Sequence, residues 1–360
     1  MSDRRFVYKL EYKNERGILM KKALSLVITL CMAAALLVGC GSNAGTDADV
    51  KTAADNGDKV YELKLGHIQP EEHPNGQGAV EFARLVEEKT GGHVKVSVFP
   101  SSQLGNEQEL FDAVALGSVD FAIIGFGEPA KQYSPFLLLD APYLAKDRDQ
   151  WVRIMKSDAI GTMCEEMAET TKVACLGIFY YGARYVTSNY EIHSPADLAG
   201  HTIRVPDQQM YVSTLNAMGA TATPMALSEV FLALQQNVID GQENPVATIA
   251  ANKFNEVQSY LIQTEHIMGG NCIYASEKTL EGLPEEYRTA VIEAGIEATD
   301  FINTLAFEAE DSCKQQLQDN GMTLISDVDK QAFQKATECV YEELSANWTP
   351  ELLESIRAVK

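Results

Sequence analysis

The sequence lacks the short motifs that mark many catalytic and metal sites. Its six histidines form no HExxH pair, and no GxSxG sequence is present. The seven cysteines include no CxxC pair, and the five that follow Cys40 have no spacing typical of a zinc site or a disulfide framework. We therefore expect no metal and no cofactor. The spacing leaves the disulfide state open, and we interpret five positions as buried free thiols: Cys164, Cys175, Cys272, Cys313 and Cys339.

Basic residues are scarce relative to acidic ones. The chain has 29 Lys and Arg against 51 Asp and Glu, a formal net charge of −22. The segment before Cys40 carries +4, so the remainder carries −26. Such a body repels phosphate backbones and anionic lipid surfaces, which argues against nucleic-acid binding. A buried pocket is governed by its own few charges, so an anionic ligand is still compatible with this composition.

A long uncharged run, Ala23 to Val38, follows the basic start Met20-Lys21-Lys22 and ends at Cys40. This layout is typical of a bacterial secretory signal, and the Leu-Val-Gly-Cys ending resembles a lipobox with a lipidated cysteine. We expect residues 1–39 to be a signal peptide with an N-terminal extension, and residues 40–58 to be a polar tether. An uncleaved membrane anchor is the alternative. Both place the bulk of the protein outside the cytoplasm.

After residue 60, predicted strands alternate with predicted helices. Apolar runs and period-two alternation predict strands at residues 63–68, 94–98, 121–124, 173–179, 185–188 and 202–205. Helical spacing predicts helices at residues 79–89, 107–116, 210–218, 228–235 and 284–317. This alternation predicts an α/β architecture with largely parallel sheets. The last helix would be roughly 50 Å long, so we expect it to span two lobes.

A glycine-rich segment, Gly125-Phe126-Gly127-Glu128-Pro129-Ala130, follows a predicted buried strand and fits GxGxxA. Glu128 and Pro129 suit a pyrophosphate poorly, so we do not interpret it as a dinucleotide site. In open α/β sheets the ligand crevice lies at the carboxyl ends of strands. Gly125 is therefore a candidate ligand contact.

An ordered series of short motifs runs from residue 182 to residue 245: Gly-Ala-Arg-Tyr-Val-Thr-Ser-Asn, Ser-Pro-Ala-Asp-Leu-Ala-Gly, Ile-Arg-Val-Pro, Met-Gly-Ala, Thr-Pro-Met and Val-Ile-Asp-Gly-Gln-Glu-Asn-Pro. The series closely resembles the solute receptors of tripartite ATP-independent periplasmic (TRAP) transporters of the DctP type. Upstream, the segments 82–90, 99–105 and 116–120 are similar to the same family. The resemblance covers the chain from about Tyr61 to the late helices.

The resemblance implies a two-lobed, class II-like periplasmic binding protein with a hinge that closes on a small organic acid. We place lobe I at residues 59–182 plus 270–305 and lobe II at residues 183–269 plus 306–360. Such a receptor is no enzyme; it delivers its ligand to the TRAP membrane subunits. We also expect a monomer, held at the membrane by a lipid on Cys40.

The family's carboxylate-gripping arginine falls at Arg204, and two further ligand positions fall at Arg184 and Asn244. Physical reasoning supports Arg204 independently, because it is a lone charge between two apolar strand residues and its guanidinium matches a carboxylate with two parallel hydrogen bonds. An exposed sheet face or an internal ion pair is the alternative for Arg204. Arg184 has the alternative of an interlobe salt bridge, and Asn244 that of a structural turn.

Three weaker candidates complete the predicted site. Glu72 and His73 lie in the loop after the first strand, where family members read ligand hydroxyls, and Tyr211 offers an aromatic face to a sugar. Arginines combined with Glu, His and Asn would suit a sugar acid. Uronates, aldonates, keto acids and C4-dicarboxylates all fit the sequence.

Two rival functions follow from the same residues. A secreted sugar-acid enzyme would use Glu72 or Glu243 as acid or base, but no paired carboxylates support it. A receptor for a sensor system would bind the same ligand without transport, and the sequence does not separate it from a transport receptor.

Overall fold

A computed structural model describes residues 59–360. The predicted signal peptide, Cys40 and the predicted tether at residues 40–58 all lie outside this range. Ten strands are present in it: β1 (Tyr61–His67), β2 (Val94–Phe99), β3 (Phe121–Ile124), β4 (Val173–Ser188), β5 (Thr202–Val205), β6 (Thr221–Pro224), β7 (Gly241–Pro245), β8 (Tyr260–Ile262), β9 (Met268–Ser276) and β10 (Thr323–Ile325).

Twelve α-helices accompany these strands in the same range: α1 (Pro74–Lys89), α2 (Glu107–Leu116), α3 (Gly127–Gln132), α4 (Arg148–Met155), α5 (Asp158–Thr171), α6 (Gln209–Ala217), α7 (Leu227–Gln235), α8 (Val246–Ala251), α9 (Glu277–Gly282), α10 (Glu285–Asp319), α11 (Lys330–Glu343) and α12 (Pro350–Arg357). Short 3-10 helices cover Ser134–Asp140, Pro195–Leu198, Phe254–Glu256 and Ser345–Asn347. Between residues 59 and 360, no helix is both long enough and apolar enough to cross a membrane.

The strands form one sheet whose two halves share β4. The main order is β2-β1-β3-β9-β4-β7-β5-β6, and β10 joins through β8. Strands β2, β1 and β3 are parallel, as are β7, β5 and β6, whereas β4 and β9 run antiparallel to their neighbours. The sheet is therefore mixed rather than largely parallel. Each parallel set forms the sheet of one lobe.

Strand β4 is a single strand of 16 residues, where the sequence predicts two shorter ones. Its first part pairs with β9 up to Ala183, and its last part pairs with β7 from Arg184 onward. The register shifts between Tyr180 and Gly182, and Gly182 adopts φ +131°, a conformation that favours glycine. A Cβ there would lie 2.6 Å from the Pro245 side chain, so this crossing between the two halves requires glycine.

Helix α10 is 35 residues long, as its uninterrupted helical spacing predicts. It packs against α1 of the first half, against β4, and against α8 of the second half. Gly295 allows the close approach to β4, because a Cβ there would lie 2.7 Å from the Leu176 side chain. The helix thus braces both lobes.

Separate hydrophobic cores lie on the two halves of the sheet. The first surrounds Trp151 and Tyr274, and the others contain Ile203 and Tyr185 respectively. Trp348, from the end of the chain, packs into the first core. The exact lobe boundaries stay a prediction. The sequence assigns residues 306–360 to lobe II, whereas Trp348 packs into the core of the first half.

Local sequence signals explain most element ends. Helix α2 begins with a capping box between Asn106 and Glu109 and ends at Gly117, which adopts the left-handed conformation. Helix α1 begins earlier than predicted, at Pro74, because Pro is well tolerated at the first helical position and the His73 side chain caps the Asn75 N–H.

Candidate ligand-binding site

A polar cavity of about 400 Å³, opening included, lies where the two halves of the sheet face each other. Its walls come from both halves, and they are formed by Ile68, Glu107, Gly125, Tyr181, Arg184, Arg204, Pro206, Gln208, Tyr211, Leu227, Asn244 and Asn271.

Sheet topology explains why these residues meet. Ile68 follows β1 and Gly125 follows β3, so both lie at the carboxyl edge of the first parallel set. Arg204 lies near the carboxyl end of β5 and Asn244 near that of β7, in the second parallel set. Carboxyl edges of parallel strands form the ligand crevice of α/β folds. The cavity therefore occupies the place where the topology predicts a ligand.

Arg204 is a buried cation without an acidic partner. Its side chain is 2% exposed, and Nε and Nη2 both donate to the carbonyl oxygen of Met225, with Nε 2.9 Å from it. Among residues 59–360, no carboxylate lies within ion-pair distance of this guanidinium. Burial lowers the pKa of Arg204 to about 10, so it stays protonated at neutral pH. Since Met225 occupies one edge of the guanidinium, the edge formed by Nη1 and Nη2 remains for a ligand.

Arg184 also lines the cavity, but the protein itself neutralises it. Nη2 donates to Oε1 of Glu243 at 2.8 Å and to the Glu243 carbonyl at 2.9 Å, and Nε donates to Oε2. Both side chains are fully buried. Burial acts to lower the pKa of Arg184, but the Glu243 carboxylate holds it above its usual range. The ion pair joins β4 to β7 within the second half, so it is not the interlobe bridge considered from the sequence.

Glu243 has a second buried partner, His266. Nε2 of His266 lies 3.3 Å from Oε2 of Glu243, and Nδ1 lies 2.8 Å from the Thr264 hydroxyl. Burial acts to raise the pKa of Glu243, but Arg184 and His266 hold it below its usual range. A carboxylate kept ionised in this way is unsuited to act as the general acid of an enzyme.

The aromatic ring of Tyr211 packs against the guanidinium group of Arg184. The guanidinium carbon of Arg184 lies 4.8 Å from the ring centroid, a favourable cation–π distance. The Tyr211 hydroxyl interacts with the buried carboxyl of Asp140, which belongs to the 3-10 helix Ser134–Asp140. Burial raises the pKa of Asp140 to about 7, although Arg184 acts to lower it. Tyr211 is therefore a supporting residue as well as a cavity wall.

Asn244 is held in a fixed orientation. Its Oδ1 accepts from Nη2 of Arg184 at 3.0 Å, and its Nδ2 donates to Oε1 of Gln242 at 2.6 Å. The side chain is 3% exposed and faces the cavity. It is thus a positioned amide within a strand, not the turn residue that the sequence also allowed.

Opposite the arginines, three polar side chains surround Gly125. A Cβ at Gly125 would lie 3.5 Å from Oδ1 of Asn271, and 3.7 Å from both Nε2 of Gln208 and Oε1 of Glu107. Glu107 is the first residue of α2, and its Oε1 accepts from the Gly125 N–H at 3.4 Å. Burial raises the pKa of Glu107, although the Gly125 N–H and Arg204 act to lower it. The absence of a side chain at Gly125 leaves this end of the cavity open.

The structure does not bring Glu72 and His73 into this cavity. Both line a second groove of about 780 Å³ between α1, α8 and α10. His73 is buried, and its Nε2 lies 3.3 Å from the Thr248 hydroxyl. Burial lowers the pKa of His73 to about 3. In the loop after β1, to which Glu72 and His73 belong, only Ile68 lines the cavity.

Sequence reasoning missed Glu107, Gln208 and Asn271. Glu107 carries a usable signal, because it opens the helix after β2 and so lies at the same sheet edge as Gly125. Asn271 carries none, since it lies within the antiparallel strand β9 and reaches the cavity through the pairing of β9 with β3 and β4.

No group of three or more metal-ligating side chains exists in the described part of the chain. All five cysteines there are free. Cys164, Cys175 and Cys272 are buried, as predicted, whereas Cys313 is half-buried and Cys339 is exposed, so the expectation of burial is wrong for Cys339.

Comparisons with known proteins agree with this geometry. The sequence profile of the bacterial extracellular solute-binding proteins, family 7, matches residues 65–347. The C4-dicarboxylate-binding periplasmic protein DctP of Rhodobacter capsulatus is 30% identical over 302 residues, which are 82% of this chain and 90% of that protein.

Two solved structures of TRAP periplasmic solute-binding proteins are also similar. The protein of Roseobacter denitrificans with bound L-galactonate is 34% identical with a TM-score of 0.78, covering 84% of this chain and 99% of that one. The protein of Chromohalobacter salexigens with bound D-glucuronate is 29% identical with a TM-score of 0.79, covering 83% and 100%. The chain therefore belongs to family 7 of the bacterial extracellular solute-binding proteins, the extracytoplasmic substrate receptors of TRAP transporters, which are receptors and not enzymes.

Proposed function

We propose that this receptor captures a small organic acid by a salt bridge between Arg204 and the ligand carboxylate, and then delivers the acid to TRAP membrane subunits. One observation carries the proposal: Arg204 is buried, charged and without an acidic partner in the described chain, and it lines the cavity between the two halves of the sheet. A buried unpaired charge is costly, so its retention favours a charged ligand as its partner.

The available donors suit a carboxylate. The Met225 carbonyl accepts from Nε and Nη2 of Arg204, which leaves Nη1 and the second Nη2 proton free. These two groups form the end of the guanidinium fork, which matches both oxygens of a carboxylate. Asn244 lies beside them and presents an amide edge of fixed orientation.

Arg184 has a different part in the proposal. Because Glu243 neutralises it, Arg184 adds little net charge to the cavity, and its fixed guanidinium instead presents an oriented donor edge beside Arg204. Walls from both halves of the sheet then favour the closed state when the ligand is bound.

The proposal extends to residues that the structure does not describe. The basic, apolar and Leu-Val-Gly-Cys segments before residue 41 support export and lipidation at Cys40. A lipid on that residue, followed by the polar segment 41–58, would tether the receptor near its membrane subunits. We further propose that the receptor acts as a monomer.

The test compares the parent with Arg204→Ala and Arg204→Lys. Loss of a buried charge partner costs roughly 2–5 kcal/mol of binding free energy, a loss of about 30-fold to several thousand-fold in affinity. Isothermal titration calorimetry with L-galactonate, D-glucuronate and succinate should show this loss for Arg204→Ala. Arg204→Lys should restore only part of the affinity, because an ammonium lacks the fork.

The matched control is Arg84→Ala. Arg84 is exposed on α1 and pairs with Glu81 and Glu88, so its removal should leave ligand affinity unchanged. Parental affinity in Arg204→Ala, with an unchanged melting temperature in the absence of ligand, would refute the assigned role.

A further inference from the structure

We infer that the Tyr181 hydroxyl, held between Gln69 and Thr248, forms a hydrogen-bond latch that stabilises the closed receptor around its ligand. Gln69 belongs to the first half of the sheet and Thr248 to the second, so each half supplies one hydrogen bond to the same oxygen atom. The inference rests on the proposed function, because it assumes that the two halves close on a ligand. Tyr181 and Thr248 are positioning residues in this sense.

The latch lies beside the crossing between the two halves. Tyr181 precedes Gly182 in β4, where the strand shifts its register. Thr248 lies in α8, the helix that directly follows β7 of the second half, and Gln69 lies in the loop after β1 of the first half. Tyr181, Gln69 and Thr248 are all buried. A change in the angle between the halves therefore moves the two partners of Tyr181 relative to each other.

The hydrogen bonds through Thr248 have a fixed direction. Nδ1 of His73 accepts from the Asn75 N–H at 3.0 Å. Burial lowers the pKa of His73 to about 3, so the ring is neutral and its single proton lies on Nε2. Nε2 lies 3.3 Å from the Thr248 hydroxyl and donates to it, and that hydroxyl donates to the Tyr181 hydroxyl at 2.7 Å. The first residue before α1 is thus connected to Tyr181 through a side chain of the second half.

A second set of hydrogen bonds crosses between the halves through the Gln69 amide. Its Nε2 donates to the Tyr181 hydroxyl, and its Oε1 accepts from Nδ2 of Asn252 at 3.2 Å. Asn252 is the C-terminal cap of α8, and the same Nδ2 donates to the Thr248 carbonyl at 3.0 Å. The nitrogen and the oxygen of this buried amide therefore both have partners in the present arrangement of the halves.

These contacts connect the latch to ligand affinity. They exist in an arrangement in which walls from both halves, Tyr181 among them, enclose the cavity. Hydrogen bonds weaken steeply beyond about 3.5 Å, so a rotation of the halves breaks them. Each bond that exists only in the closed state shifts the closing equilibrium by roughly 2- to 10-fold. Ligand affinity falls with the fraction of closed molecules. Thr248 is not one of the cavity walls, so its hydroxyl affects the ligand only through this equilibrium.

The experiment compares Thr248→Val with Thr248→Ser in the purified full chain. Val keeps the branched shape of Thr but removes the hydroxyl, whereas Ser keeps the hydroxyl. Isothermal titration calorimetry with L-galactonate, D-glucuronate and succinate should show about 10-fold weaker binding of Thr248→Val to each probe that the parent binds. Thr248→Ser should bind these probes with nearly parental affinity. Surface plasmon resonance should show the loss mainly as faster dissociation, because the closed complex opens more readily.

Tyr181→Phe tests the same latch from its centre. This change keeps the aromatic wall of the cavity and removes the hydroxyl, so it should also weaken binding by about 10-fold. The double variant of Tyr181→Phe and Thr248→Val should lose less affinity than the product of the two single losses, because both changes break one network. The matched control is Tyr287→Phe, which removes a hydroxyl from a half-buried ring on α10 outside the cavity and the latch. It should keep parental affinity.

The melting temperature of each variant without ligand separates a latch from a purely structural role. Parental affinity in Thr248→Val, with a lower melting temperature, overturns the inference, as does a Thr248→Ser variant that binds as weakly as Thr248→Val. If Thr248→Val does not fold, parental affinity in Tyr181→Phe overturns it.

Arg204→Ala, measured in the same series, distinguishes the latch from the proposed function. Parental affinity in Arg204→Ala refutes the salt bridge, while weaker binding by Thr248→Val still supports the latch. If none of the probes binds the folded parent, the receptor proposal fails, and the latch fails with it.

Discussion

Replacing Asp140 with Asn is expected to stabilise the protein at mildly alkaline pH and to do so less in acid. Asp140 is 3% exposed, and its Oδ1 has no hydrogen-bond partner in the described chain. Burial raises the pKa of its carboxyl from 3.8 to about 7, with Arg184 and Tyr211 acting in the opposite direction. Glu107 and Glu243 also act on Asp140, and both favour its protonated form.

The sign follows from proton linkage. The folded state holds the proton on Asp140 more tightly than the unfolded chain does. The stabilisation that this proton gives the folded parent is therefore complete below about pH 4 and is lost as the pH rises through about 7. Each pKa unit corresponds to about 1.4 kcal/mol, so the loss between pH 5 and pH 8 is about 3 kcal/mol. Asn cannot ionise and avoids this loss. The stability of Asp140→Asn relative to the parent should therefore rise by about 3 kcal/mol over this interval.

Urea unfolding of both proteins at pH 5 and pH 8, followed by circular dichroism, measures this difference. Groups that titrate in both proteins cancel in the comparison, so only the contribution of Asp140 remains. Asp112→Asn, an exposed change on α2, serves as control and should give the same stability difference at both pH values. An Asp140→Asn difference that is equal at pH 5 and pH 8 would refute the reasoning.

Two further predictions concern buried groups near the cavity. Glu243→Gln leaves the Arg184 guanidinium without its counter-charge, so the free energy of unfolding should fall by about 3–5 kcal/mol in urea titrations. A fall below about 1 kcal/mol would mean that the pair is not buried in solution. Burial lowers the pKa of His67 to about 4, so its contribution to stability is present above pH 6.5 and is lost as the pH falls toward 4. The free energy of unfolding of His67→Leu, relative to that of the parent, should therefore rise by about 2 kcal/mol from pH 7 to pH 5. An equal difference between the two proteins at both pH values would contradict this.

Much of the fold follows from local sequence signals. Helical spacing and the glycine at 117 predict the bounds of α2 correctly, and uninterrupted helical spacing predicts α10 to within two residues. The continuity of β4 is not predictable in this way. Gly182 and Ala183 predict a break, and only pairing with both β9 and β7 keeps the strand extended through that point.

Part of the site is likewise predictable from the sequence, and part is not. Arg204, Arg184 and Asn244 lie in motifs on strands of the second half, and the structure brings all three to one cavity. The partner of Arg184 was not predictable, because the register that places Glu243 beside it depends on long-range strand pairing. The resemblance points to Glu72 as a ligand contact, whereas the structure places Glu107 in the cavity and Glu72 in the groove between α1, α8 and α10.

The unbroken course of β4 constrains how the cleft can widen. Since one hydrogen-bonded strand enters both halves of the sheet, separation of the lobes has to be absorbed as twist and bending around Gly182, not as free rotation about a loose linker. Arg184 and Glu243 pair on neighbouring strands of one half, so they move as a rigid unit. The wall that we propose to recognise the anion therefore moves as one unit, and in the proposed closure the wall that contains Glu107 approaches it.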